Sequence, residues 1–106
     1  MNKQLKLFGL PTQEYRNTVG STVFEISGTL NELRSIYKDI RRKYLQTRNT
    51  PFDIPDGRVV YIKHCHAITN MMEVSETMVI RIITSPDPVI SKAPIALVTK
   101  WRVLDE

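Results

Sequence analysis

The chain has 106 residues, 42% of them hydrophobic and 25% charged, with a formal charge of +4 and a sequence pI near 9.4. That length fits one domain, residues 1–106, and the composition is that of a globular rather than a disordered or fibrous chain. No apolar run approaches the ~20 residues of a membrane span, the single cysteine excludes an intramolecular disulfide framework and points to a reducing, cytoplasmic setting, and the basic balance leans toward acidic partners.

Residues 3–8 alternate Lys3, Leu5 and Leu7 against Gln4, Lys6 and Phe8 and predict a short first strand. No apolar h-region accompanies Lys3 and Lys6, so the segment does not read as a secretory signal. Residues 10–20 contain Pro11, Asn17 and Gly20 without a period and read as a loop, with Tyr15 and Arg16 as an anchor to the body or a contact. Residues 21–27, STVFEIS, predict a strand with Phe24 and Ile26 on one face and Val23 and Glu25 on the other.

Gly28 separates that strand from the most legible element, a helix over residues 29–46. Leu30, Leu33, Ile36, Tyr37, Ile40 and Tyr44 recur at helical spacing, so one face must be buried. Thr29 with Glu32 three residues later is a capping box, each side chain satisfying a backbone N–H of the other's residue. The remaining face carries Arg34, Lys38, Arg41, Arg42 and Lys43, followed by Arg48, against only Glu32 and Asp39. This excess equals the net charge of the whole chain. Cations near a helix C-terminus suit the macrodipole, so the cluster is either a solvated helix end or an anion-contacting surface.

Pro51, Pro55 and the Asp56–Gly57 turn signal interrupt residues 47–57, with Phe52 and Ile54 expected to pin this connection to the core. Residues 58–68 predict a strand with Val60, Ile62, His64 and His66 on one face and Val59, Tyr61, Lys63 and Cys65 on the other. Residues 74–84 predict its antiparallel partner, with Met78, Ile80 and Ile82 opposite Thr77, Val79, Arg81 and Ile83. Pro86, Pro88 and Pro94 make residues 85–94 irregular, and residues 95–104 close the chain as a strand.

The order is β-β-α-β-β-β. Segregated strands and one amphipathic helix predict an α+β fold: a single two-layer domain with the helix on one face of a mainly antiparallel sheet.

Catalytic signatures are weak. His64 and His66 point the same way in a strand and could share a metal, but Cys65 points oppositely, and only Glu73 or Glu76 lies near enough in sequence to add a ligand. No metal or cofactor is assigned. Cys65 sits mid-strand without a helix N-terminus to activate it. The glycines at 9, 20, 28 and 57 form neither a P-loop nor a dinucleotide turn.

The stronger constellation is distributed. Lys63, Arg81, Lys100 and Arg102 alternate within three strands, so with the apolar faces turned to the helix these cations gather beside Tyr61 on the opposite sheet face. The expectation is a non-catalytic basic binding module contacting an anionic partner, foremost nucleic acid. Its two candidate surfaces are Lys38, Arg41, Arg42, Lys43 and Arg48 on the helix side, and Lys63, Arg81, Lys100 and Arg102 on the sheet. The competing reading is a protein–protein assembly or regulatory module, a homodimer paired through that half-apolar sheet face or the edge at residues 95–104.

Overall fold

The structure is a computed structural model that describes residues 3–44, 49–70, 77–85, 95–97 and 102–103. Its strands are β1 (Lys3–Leu7), β2 (Leu10–Arg16), β3 (Thr22–Gly28), β4 (Pro51–Asp53), β5 (Val59–Asn70), β6 (Thr77–Ser85), β7 (Ala96–Leu97) and β8 (Arg102–Val103), with helix α1 (Leu30–Tyr44) between β3 and β4. One sheet runs β1-β2-β3-β6-β5-β4, antiparallel throughout, and α1 packs on one face of it near β3 and β6. The α+β class and the single amphipathic helix are as the sequence predicts.

The helix begins as its sequence dictates. Thr29 N–H donates to Glu32 Oε1 at 2.9 Å, Glu32 N–H donates to Thr29 Oγ1 at 3.3 Å, and Leu33 N–H donates to the Thr29 carbonyl at 2.9 Å. These bonds hold the Glu32 carboxyl below its ordinary pKa, the Thr29 backbone N–H contributing most. Leu33, Ile36, Tyr37, Ile40 and Tyr44 are buried. Gly28 sits in a tight place rather than in a left-handed one: a Cβ there would crowd the side-chain ends of Leu10, at 3.0 Å from Cδ1, and Glu32, at 3.3 Å from Oε1.

Phe24 and Ile26 of β3, with Ile80 and Ile82 of β6, form the sheet side of this core and are fully buried. Phe52 and Ile54 are each 3% exposed and do pin the proline-rich connection. Part of that connection is itself a strand, β4, which turns into β5 through Gly57 at φ +96°. Gly57 N–H donates to the Ile54 carbonyl and Ile54 N–H to the Arg58 carbonyl, each at 2.9 Å.

Two further expectations change. Residues 10–16 are strand, not loop: β2 pairs with β1 from Leu7↔Leu10 and with β3 from Thr12↔Ile26. The hydrophobic alternation is missing because polar groups fill the positions facing the helix side. Thr12 is 2% exposed, its Oγ1 accepting the Leu7 N–H and donating to the Leu10 carbonyl. Glu14 on the same face is held by Arg58. Pro11 is tolerated because it precedes the pairing with β3.

The second change is a β-bulge in β5 between Ile62 and His64, where pairing with β6 skips Lys63. An inserted residue reverses the parity of everything after it. Cys65 and Ala67 therefore continue the buried row of Val60 and Ile62, while His64 and His66 turn to the face away from the helix. This is the opposite of the arrangement that strict alternation predicts.

Of residues 95–104, expected as the closing strand, 98–101 and 104 lie outside the described residues. The described parts run parallel to β5, β7 at His64↔Ala96 and Cys65↔Leu97, and β8 at Ile68↔Arg102 and Thr69↔Val103. β5 is thus flanked on its outer side first by β4 and then by these two segments.

The sheet is also curled. β3 and β6 lie between β2 and β5, a separation of about 14 Å if the sheet were flat. Side chains that stand perpendicular to a flat sheet would not meet across that distance. Yet Arg58, at the head of β5, clasps Glu14 of β2 with two bonds of 2.6 Å.

Candidate nucleic-acid interface

The outer face of α1 is segregated by charge. At 100° per residue, Arg34, Lys38 and Arg41 fall within an arc of about 60°, and two turns separate the first from the last by about 10 Å. All three are exposed, as are Arg42 and Lys43. Glu32 and Asp39 fall to one side of that arc. Arg42 bonds Asp39 at 3.0 Å with its side chain 81% exposed, a pair that water and salt screen heavily. The Lys43 ammonium lies 5.6 Å over the Tyr44 ring. Among the described residues, no ion pair involves Arg34, Lys38 or Arg41.

The second predicted surface is differently constituted. Cross-strand pairing lines up Gln13, Glu25, Arg81 and His66 in one row and Tyr15, Val23, Ile83 and His64 in the next. Arg81 Nε donates to Glu25 Oε2 at 2.7 Å, and the Tyr15 hydroxyl donates to the same oxygen at 3.0 Å. Burial, followed by this bond to a carboxylate, raises the Tyr15 pKa. Arg81 is therefore a neutralised member of a network, and Tyr15 is an anchor of strand β2 rather than of a loop. Lys63 is exposed at the bulge. Arg102 is placed in β8 opposite Ile68; Arg48 and Lys100 lie outside the described residues. Of the four sheet cations, Arg81 is thus paired with Glu25 and Lys63 is exposed at the bulge, while Lys100 and the Arg102 side chain lie outside what is described.

His64 and His66 have ring centres 6.0 Å apart. Among the described residues, no group of three or more His, Cys, Asp or Glu side chains is placed to hold a metal; Glu73 and Glu76 lie outside them. Cys65 is fully buried and its thiol is pushed up to about 12 by that burial, so it is protonated at neutral pH.

A cleft of about 370 Å³ opens beside Arg16, Thr22, Arg58 and Thr84. It is not an anion trap. The Arg58 guanidinium already serves Glu14 and Asp56, at 2.6 and 2.8 Å, which balances the two arginines with two carboxylates.

Sequence reasoning missed Phe8, which turns the β1–β2 hairpin and is 43% exposed. The signal available for it was the glycine that follows, set between Leu7 and Leu10. Among the described residues no helix is long and apolar enough to cross a membrane. Comparison of the chain with protein-family models, curated proteins and solved structures finds no match.

Proposed function

We propose that the chain is a non-catalytic module that contacts the phosphate backbone of a nucleic acid through the outer face of α1, in an intracellular setting that keeps Cys65 reduced. The observation that carries this reading is the exposed stripe of Arg34, Lys38 and Arg41. It is held on a rigid, capped helix and is not neutralised by the acids that occupy Arg42, Arg58 and Arg81. Arg42, about 40° beyond Lys38 on the same count, extends it, since its pair is exposed enough to yield to a phosphate, whereas Lys43 falls about 140° from Lys38, on the flank of Glu32 and Asp39.

Three to five phosphate contacts predict a log–log slope of affinity against salt of about −2 to −4. Replacing Arg34, Lys38 and Arg41 together by Gln keeps helix propensity. It should lower that slope by about 2–3 and weaken binding about 100-fold near 0.1 M salt. Fluorescence anisotropy with labelled DNA and RNA measures both. Absence of binding at low salt, or binding that ignores the triple substitution, removes this reading.

A second reading, a homodimer through the sheet face away from α1, draws support from Val59, 47% exposed, next to half-buried Tyr61. Light scattering at high protein concentration is expected to give a dimer mass if that face pairs. A monomer mass throughout would eliminate it.

A further inference from the structure

The hairpin between β1 and β2 turns through two residues, Phe8 and Gly9, both with positive φ, 55° and 77°. Two left-handed central residues make a type I′ turn, whose first position favours Asn, Asp or Gly. A bulky aromatic side chain there carries a steric cost, and a cost held at the surface asks for an explanation in function. Core packing explains only half of it. One side of Phe8 lies on the Phe52 ring, with centres 5.7 Å apart and planes 34° apart, and the rest of the side chain is exposed. Tyr44 meets Phe52 edge-on from behind at 5.5 Å and 78°, and Lys43 lies over Tyr44. Between the hairpin tip, the end of α1 and the β4 segment is a cleft of about 180 Å³, with Phe8, Lys43, Tyr44 and Asp53 in its walls. An exposed aromatic ring and an ammonium thus share one opening, at the end of the cationic helix.

We propose that this cleft takes an unpaired base of single-stranded nucleic acid, stacked on Phe8, with the adjoining phosphates on Lys43 and the outer-face cations of α1. The proposal rests on the reading of α1 as a phosphate-contacting surface and narrows its ligand to single strands. Bases inside a duplex have both faces covered, whereas an unstacked base offers a π-face to an aromatic side chain. The ammonium of Lys43 favours phosphate next to that base, and Asp53 is the acidic side chain in the cleft wall. Stacking of this kind reads no base edge, so little sequence preference is expected.

Phe8→Asn is the discriminating variant, because Asn suits the left-handed turn and preserves the hairpin. Anisotropy titrations would use labelled oligothymidylate, labelled oligouridylate and a labelled duplex, with thermal melting of the protein alongside. Wild type should prefer at least one of the two single strands over the duplex. Phe8→Asn should weaken that single-strand binding about 5- to 100-fold, the range of one lost stacking contact. It should leave duplex binding and the melting temperature unchanged, or raise the latter, and Phe8→Trp should keep single-strand binding. Equal affinity for single strands and duplex, or single-strand binding unaffected by Phe8→Asn, overturns the base site while leaving the α1 reading intact. A lowered melting temperature with unchanged binding assigns Phe8 to packing on Phe52 and overturns it equally. Loss of all binding in wild type removes both readings together.

Discussion

Phe24→Ala is expected to remove about 3–5 kcal/mol of folding stability, a large part of the ~5–15 kcal/mol typical of a domain. Phe24 is fully buried in β3, in the core cluster that α1 and the sheet share. Its neighbours are held by pairing on both sides, Glu14 of β2 and Ile82 of β6 standing directly opposite it. A backbone fixed in this way cannot collapse into the space left by the ring, so the cavity term adds fully to the transfer term. The ring also supports the Arg58 guanidinium, which lies 5.8 Å from its centre. Denaturant unfolding followed by circular dichroism should show the midpoint falling with an unchanged slope. A loss below about 1 kcal/mol would mean that Phe24 is not packed as described.

Arg58→Ala should cost about 2–3 kcal/mol at neutral pH, less than the 3–5 kcal/mol of a fully buried pair because its side chain is 39% exposed. Arg58 bonds Glu14 twice at 2.6 Å and holds Asp56 through Nε at 2.9 and 3.0 Å. The partners, Glu14 first, raise the Arg58 pKa, so the guanidinium stays charged at every accessible pH. Removing it leaves two carboxylates near each other, Glu14 with its side chain only 16% exposed. The sign of the pH dependence follows. Losing this cation disfavours the ionised carboxylates of the folded variant relative to those of the wild type, so the difference between the two proteins is largest at neutral pH and falls away as pH drops and the carboxylates protonate. The difference between variant and wild type should therefore shrink between pH 7 and pH 4. A constant difference would assign the effect to lost packing alone. Because Arg58 rests on Phe24, the double variant should lose less than the two singles combined.

How far the sequence reveals this fold depends on the range of each interaction. The capping box of Thr29 and Glu32, the buried stripe of α1 and the alternation of Phe24 with Ile26 are local patterns, and the structure keeps them. Residues 10–16 were illegible because their inward positions are polar: Thr12 is satisfied within the hairpin, but Glu14 depends on Arg58, far along the chain. The bulge at Lys63 was illegible because period-2 reasoning has no term for an inserted residue. That one residue exchanges the faces of Cys65 and the two histidines. The cationic helix face was visible in composition and spacing. The neutralisation of Arg81 was not, since it requires knowing that β6 lies beside β3 and brings Arg81 opposite Glu25. Phe8 was hidden by its own unsuitability, as a left-handed phenylalanine is the residue a turn rule excludes.

The placement of β6 next to β3 has a consequence in time. These strands share the middle of the sheet, with Val23 opposite Ile83 and Gly28 opposite Met78, yet α1, β4 and β5 intervene in the chain. The β1–β2–β3 meander and α1 can assemble from neighbouring residues, whereas the pairing that completes the sheet waits for a long loop to close. As the chain leaves the ribosome, β3 therefore carries a bare edge until the β5–β6 hairpin arrives and docks against it. Topology predicts that this docking, rather than formation of the helix, limits the rate of folding, and that the exposed edge of β3 is where a nascent or truncated chain would pair with the wrong neighbour.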